Sequence, residues 1–144
     1  MKISIVTVCY NSEATIKKCV DSVASQSYAD IEHIIIDGSP TDSTVAVAST
    51  SASDNIKIFS EADDGIYDAM NKGFEKATGD VVAYLNSDDY YSHPEVIRNV
   101  MAKFENDNID YVYGDIYYVN DALVRVRSWV VGEIKEGQLR SQQI

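Results

Sequence analysis

The chain has 144 residues, 45% of them hydrophobic and 24% charged, the composition of one ordinary soluble domain able to bury a real core. Its net charge of −11, from 23 acidic and 12 basic residues, argues against partners such as nucleic acid or an anionic membrane face, although an anionic ligand can still bind through a metal and backbone amides. Cys9 and Cys19 are too few for a disulfide framework, and free buried thiols in a reducing cytosol are expected.

Lys2 to Val8 is a β-branched run that predicts a first strand, and Asn11 and Ser12 behind it suit a helix cap. Ile16, Cys19, Val20 and Val23 then recur on one helical face. Within Glu32 to Asp37, Ile34-Ile35-Ile36 makes the continuous apolar run of a parallel strand covered on both faces. The loop Gly38 to Ser43 leads into a short helix at about residues 42–50, and Ser49 to Asp54 reads as a surface connection. Ile56 to Ser60 is a third strand. From Gly65 a stronger helix is expected to bury Ile66, Met70, Phe74 and Ala77 and to stop at Gly79. Asp80 to Asn86 is a fourth strand, and His93-Pro94-Glu95 opens a helix with Ile97, Val100, Met101 and Phe104 as its buried stripe. This β-α-β-α-β-α-β-α order predicts a parallel sheet with right-handed crossovers.

The last third changes character. Tyr111 to Val119 and Leu123 to Val131 are β-rich and flank Asn120-Asp121, which predicts a hairpin, with one wet face from the alternation Val124, Arg125, Val126, Arg127. Strand packing explains Tyr111, Tyr113, Tyr117 and Tyr118 more simply than carbohydrate stacking does. Beyond Gly132 the pattern fades. Residues 1–144 are therefore expected to be one α/β domain, with 120–144 forming a hairpin and an irregular tail that ends as if cut. Met1 to Val8 is too short for a signal-peptide core, and no apolar run approaches the ~20 residues of a membrane span, so a cytoplasmic protein is expected.

All four predicted strands deliver polar or acidic groups to one edge: Thr7 to Asn11, Asp37, Glu61 to Asp64, and Asn86 to Asp89. Open α/β sheets bind ligands beyond those strand ends. Adjacent aspartates are common in a chain with 15 of them, so the Asp88-Asp89 pair is informative through its position. Two hard oxygen donors there suit Mg2+ or Mn2+. Each site also has a plainer explanation. Asn11 and Ser12 can simply cap a helix, Asp37 can organise a turn with Gly38, and Asp63-Asp64 can favour a helix N-terminus. Taken together they describe a nucleotide cleft in which Tyr10 stacks on a base and Asp37 accepts hydrogen bonds from its edge. Asp88 and Asp89 would repel a diphosphate unless a divalent cation lay between, so the nucleotide and the metal stand or fall together.

Other chemistries find no support. There is no P-loop, no Gly-x-Gly-x-x-Gly after the first strand and no Gly-x-Ser-x-Gly elbow. His33 reads as a strand residue and His93 as a helix cap, outside any metal-ligand spacing. A receiver or phosphatase domain would place its key aspartates after the first strand, which instead ends Val8-Cys9-Tyr10-Asn11.

Four segments carry a family resemblance: Ile3 to Asn11, Ile36-Asp37-Gly38-Ser39-Pro40-Thr41-Asp42-Ser43-Thr44, Asp64-Gly65-Ile66-Tyr67-Asp68-Ala69-Met70-Asn71-Lys72-Gly73, and Leu85-Asn86-Ser87-Asp88-Asp89. In order and spacing, across roughly residues 1–119, the chain resembles family 2 glycosyltransferases of the GT-A fold. The resemblance implies a Rossmann-like, mostly parallel sheet covered by helices, with a C-terminal β-rich segment. It implies that Thr7, Tyr10 and Asn11 line a nucleotide site and that Asp37 binds the base. Asp64, Asn71 and Lys72 would border base and diphosphate, Asp88 would approach the ribose, and Asp89 would ligate the metal.

The implied activity is inverting transfer from a nucleoside-diphosphate sugar, a UDP-sugar foremost, to a glycan or lipid-linked acceptor in polysaccharide biosynthesis. Work at the inner face of the membrane, through segments beyond residue 144, goes with it. The second strand carries a single aspartate where many members have two. The family's catalytic base is expected beyond Ile144; Asp115 and Glu133 are the local carboxylates available as substitutes, and neither is favoured. The alternative is a nucleotide-sugar-binding module that lacks its base.

Overall fold

The computed structural model describes residues 1–39, 42–51, 55–106 and 109–132. Pro40 and Thr41 of the second motif, the end of the surface connection at Asp54, and Glu133 with the tail behind it lie outside the described residues. The chain forms two compact units, Met1–Asn108 and Ile109–Ile144. That boundary falls close to Tyr111, where the sequence changes character.

The first unit is an α/β layer structure. Its elements run β1 (Ile3–Cys9), α1 (Ile16–Ala24), β2 (Ile31–Asp37), α2 (Thr44–Ala48), β3 (Ile56–Ser60), α3 (Ile66–Lys76), β4 (Val81–Tyr84) and α4 (Val96–Asn106). All strands are parallel, in the order β3-β2-β1-β4. Every residue of β1 and β2 is buried, as continuous apolar runs in a sheet covered on both faces require. Strand alternation divides the core. Ile3, Ile5 and Ile31 meet Cys19 and Val23 of α1 and Ile97 and Met101 of α4, whereas Val6, Val8, Ile34 and Ile36 meet Ala69 of α3 on the other face. Both thiols are free and buried. No helix among the described residues is long and apolar enough to cross a membrane.

The helix α3 differs from the periodicity reading. Ile66 and Phe74 are exposed, and Ala69 and Gly73 form the buried face, with Met70 and Ala77 half-buried beside them. Small residues let this helix lie directly on β1 and β2. A Cβ at position 73 would collide with the Val6 side chain. The helix also ends at Lys76, before the expected stop; Gly79 lies beyond, its amide donating to Ser4 Oγ at 2.8 Å.

At the amino ends of the strands Glu32 is buried and fully engaged. Its carboxylate accepts from Ser4 Oγ (2.6 Å), the Thr78 amide (2.7 Å) and the Thr78 hydroxyl (2.8 Å), and pairs with Lys57 (2.9 Å) and Lys2 (3.1 Å). Burial alone would raise this carboxyl, but those hydrogen bonds outweigh it and hold it far below the usual range.

In the second unit β5 (Ile116–Val119) pairs antiparallel with β6 (Arg125–Trp129), as a hairpin. The turn is longer than the expected Asn120-Asp121 pair. Asn120 Oδ1 accepts from the amides of Ala122 (3.1 Å) and Val124 (3.0 Å), and Leu123 adopts φ 61°. Neither face of the hairpin is dry. Val124 and Val126 are exposed, and so are Tyr111, Tyr113, Tyr117 and Tyr118, so the packing expected of these tyrosines is not found. Tyr111 and Tyr113 stack on each other, and the Arg125 guanidinium lies 3.8 Å over the Tyr117 ring.

Candidate nucleotide-binding cleft

From β1 the chain winds outward through β2 to β3, then returns to place β4 on the other side of β1. The strand order therefore switches direction between β1 and β4, which is where a crevice opens in such sheets. Here the crevice is a cleft of about 760 Å3, walled by Tyr10–Ser12 after β1, Asp63, Gly65, Ile66 and Ala69 around the start of α3, and Asn86–Asp88 after β4. Tyr10 presents its ring to solvent at 67% exposure, as a stacking surface requires.

Three loops are tied together at its floor. Asn11 sits at φ 51°, a left-handed conformation that asparagine tolerates, and its Oδ1 accepts from Ser39 Oγ at 3.0 Å. The Ser12 amide donates to Thr44 Oγ1 (2.9 Å), and the hydroxyls of Ser12 and Ser87 share a 2.9 Å hydrogen bond. The expected helix cap at Asn11 or Ser12 is thus not formed. The N-cap of α1 is Thr15, without a side-chain cap bond. Sequence reasoning missed Ser12, Thr44 and Ser87 as connectors, because each is an ordinary loop hydroxyl until the fold brings it to a partner.

Two residues that the resemblance places at the site's surface lie beneath it. Thr7 and Asp37 are fully buried. Thr7 has the parity of Ile3 and Ile5, so its hydroxyl points under α1, where it bonds His33 Nε2 (2.9 Å) and lies 3.7 Å from Cys19 Sγ. Asp37 accepts from the Ser39 amide (3.2 Å) and from Ser60 Oγ (2.7 Å), with Cys9 Sγ at 3.8 Å. It organises the loop beside the cleft and does not line it. Burial, then the Asp37 charge, pushes the Cys9 thiol up to about 12, so it stays protonated. His33 is a buried strand residue, as expected, and burial lowers it to about 4. His93 acts ahead of α4, its Nδ1 accepting from the Glu95 amide at 3.3 Å.

The segment from Asp63 to Lys72 is held by its own contacts. Lys72 pairs with Asp68 (3.0 Å) and donates to the Ala62 carbonyl (2.9 Å), and the Asp64 amide donates to Asp68 Oδ2 (3.1 Å). Asp64 and Asn71 are exposed and, with Lys72, stand outside the cleft lining. Asp63, named with Asp64 among the strand-end groups but given no role of its own in the site, lines it. Its Oδ1 accepts from the Gly65 amide (2.9 Å), and its carboxylate occupies space that only a glycine at 38 leaves open. Gly65 itself has φ 108°, a conformation natural to glycine alone.

At the β4 end, Asn86–Asp89 is a turn closed by the Asp89 amide on the Asn86 carbonyl (3.0 Å). The strand before it is half-buried and at the sheet's edge among the described residues. Partial burial, then the charge of Asp88, raises the Asp89 carboxyl above the usual range. Two crowded carboxylates of this kind are relieved by a cation. Among the described residues no group of three or more His, Cys, Asp or Glu side chains converges as a metal site. Asp88 lines the cleft, whereas Asp89, next to it in the turn, stands outside the lining; a divalent ion held here would take these two carboxylates as its protein donors and complete its shell with phosphate oxygens and water.

Comparison with known proteins agrees with this geometry. Residues 4–138 match the model of glycosyl transferase family 2. A PGL/p-HBAD biosynthesis glycosyltransferase of Mycobacterium bovis is 35% identical over 117 residues, which cover 78% of this chain and 46% of that protein. The chain thus spans about half the length of this relative. TarS of S. aureus, solved as residues 1–349 in complex with UDP-GlcNAc, superposes with a TM-score of 0.68 at 26% identity, over 73% of this chain and 31% of TarS. The fold is shared too by a mannosyltransferase of Pyrobaculum calidifontis, solved with GDP-Man and Mn2+, at a TM-score of 0.67 and 22% identity over 82% of this chain and 35% of that one. A parallel GT-A sheet, a cleft at its switch point and a family match along nearly its whole length make the conclusion direct: the chain belongs to glycosyl transferase family 2.

Proposed function

We propose that this chain is the donor-binding portion of an inverting, metal-dependent glycosyltransferase that uses a nucleoside-diphosphate sugar, a UDP-sugar foremost, and a glycan or lipid-linked acceptor. The observation that carries the reading is one cleft walled by both the Tyr10–Ser12 loop and the acidic turn. TarS, the nearer of the two solved neighbours in sequence, was solved with UDP-GlcNAc, which supports uridine as the base. The mannosyltransferase, solved with GDP-Man, keeps guanosine open, and its Mn2+ agrees with the donor set here.

In this proposal Tyr10 stacks on the base and Asn11 frames it, while Thr7 and Asp37 fix the loops from below. Asp64, Asn71 and Lys72 border the outer side. Asp88 reaches the ribose. Asp89, with Asp88 beside it, holds a divalent ion, which when bound supplies Lewis-acid stabilisation of the departing diphosphate. The acceptor hydroxyl attacks the anomeric carbon as the bond to the diphosphate breaks, and its proton passes to a carboxylate base. The cleft's own carboxylates, Asp63 and Asp88, are engaged with the Gly65 amide and assigned to the ribose, respectively. Asp115 belongs to the second unit, where Oδ1 accepts from the Val131 amide at 3.0 Å. The base is accordingly assigned to an acceptor region outside the described residues, and a cytoplasmic location beside the membrane is part of the same proposal.

The second reading, a binding module without turnover, is favoured by a cleft whose carboxylates among the described residues are Asp63, held by the Gly65 amide, and Asp88, assigned here to the ribose. Release of free nucleoside diphosphate on incubation with UDP- and GDP-sugars and Mn2+ discriminates the two. Turnover supports the enzyme, whereas metal-dependent binding with no release supports the module.

A further inference from the structure

The acidic turn is held from both sides. Within its first half, Ser87 is fastened to Ser12. After it, two residues of α1 one turn apart grip the chain: Ser22 Oγ accepts from the Tyr91 amide at 3.1 Å, and the Lys18 ammonium stands 3.5 Å from the centroid of the Tyr90 ring. The Tyr91 side chain packs against the core cluster that contains Cys19 and Ile97. The Lys18 contact is unusual in its chemistry. Its Nζ is shielded from solvent and has no hydrogen-bond acceptor among the described residues. Enclosing an ammonium without an acceptor costs free energy, and the π face of Tyr90 is what offsets it. For stability alone an uncharged side chain of similar length would serve at least as well, so the arrangement calls for a role in placing what Tyr90 adjoins. That neighbour is the Asp88-Asp89 pair.

We propose that Lys18 is a positioning residue for the acidic turn, its cation–π contact with Tyr90 fixing the direction in which Asp88 and Asp89 present their oxygens to a divalent cation and the diphosphate it accompanies. The inference rests on the metal-dependent nucleotide reading for its purpose, and on the Lys18–Tyr90 contact for its mechanism. Lys18 touches neither ligand. Its charge is spent on the ring.

The test uses the 144-residue chain as wild type and as Lys18→Met, Lys18→Arg, Tyr90→Phe and Tyr90→Leu. Methionine removes the charge and the orphaned polar atom together, so the melting temperature of Lys18→Met is expected to be unchanged or raised. Its dissociation constant for UDP in Mn2+ is expected to rise about 5- to 30-fold, the range of a desolvated cation–π contact, while in chelator variant and wild type alike show no saturable binding. Backbone amides of residues 86–91 are expected to exchange faster in deuterated buffer without ligand. Tyr90→Leu should repeat the changes in affinity and exchange but lower the melting temperature, because the enclosed ammonium loses the ring that offsets its burial; Lys18→Arg and Tyr90→Phe should stay within about threefold of wild type because a cation still faces a ring. Unchanged Mn2+-dependent affinity in Lys18→Met, or unchanged exchange at 86–91 in both Lys18→Met and Tyr90→Leu, overturns the proposal. If Lys18→Met does not fold, the contrast between Tyr90→Phe and Tyr90→Leu decides in its place. Equal UDP affinity with and without Mn2+ in wild type would remove the functional reading alone; the exchange rates would still decide whether Lys18 holds the turn.

Discussion

Asp89 carries a carboxyl that partial burial and the adjacent Asp88 both push upward, and it stands in a turn that Ser87 anchors to Ser12. On the proposed assignment, Asp89→Ala should abolish the Mn2+-dependent part of UDP binding and leave the fold intact, observable as loss of Mn2+ paramagnetic broadening with an unchanged circular dichroism spectrum. Tyr10→Ala should weaken UDP by roughly 1–3 kcal/mol if its exposed ring stacks on the base; an unchanged dissociation constant would return Tyr10 to a surface aromatic with no ligand. That Tyr10, Asn11 and Asp88 would wall the cleft was legible because their placement follows from strand ends alone, whereas Asp89 stands outside the lining. Thr7 and Asp37 were not legible, since whether a strand residue faces the cleft or the layer beneath depends on parity against helices that the sequence does not align. Ser12, Thr44 and Ser87 were invisible for a related reason: a hydroxyl's role is defined by a partner 32 or 75 residues away.

At the scale of elements, β2, α1 and α4 were readable because the continuous Ile34-Ile35-Ile36 run and a clean i, i+3, i+4, i+7 stripe each admit one interpretation, and β3 through the alternation Ile56-Lys57-Ile58. The helix α3 misled. Large apolar residues mark the buried face only where there is room for them, and this helix approaches the sheet through Ala69 and Gly73, leaving Ile66 at the cleft wall and Phe74 in solvent. Helix propensity would favour Gly73→Ala by about 1 kcal/mol, but the added methyl meets Val6 in a full core, where overpacking costs about 1–3 kcal/mol. A lower urea midpoint is therefore expected for Gly73→Ala, while Phe74→Ser should stay within about 0.5 kcal/mol of wild type. The reverse order would mean that the periodicity reading had the right face.

For the whole molecule, burial makes acid the weak side of stability. His33 titrates at about 4 when folded against 6.5 when free, so the unfolded chain binds the extra proton and stability falls as pH drops from about 6.5 through 4. Glu32, held low by its hydrogen bonds, adds a stability that is complete above its unfolded value of about 4.3 and is lost below it, towards its depressed folded value. Denaturant titrations across pH should show both limbs, and His33→Gln should flatten the upper one alone. The order of elements predicted the parallel sheet, but its strand order, and with it the switch point that makes the cleft, came from non-local pairing that no local pattern encodes. The central claim is that this cleft binds a nucleoside diphosphate through a metal. Calorimetric titration of the chain with UDP, once in Mn2+ and once in chelator, tests it most directly. Saturable binding only in Mn2+ is the predicted result, and equal heats and affinity in chelator would contradict it.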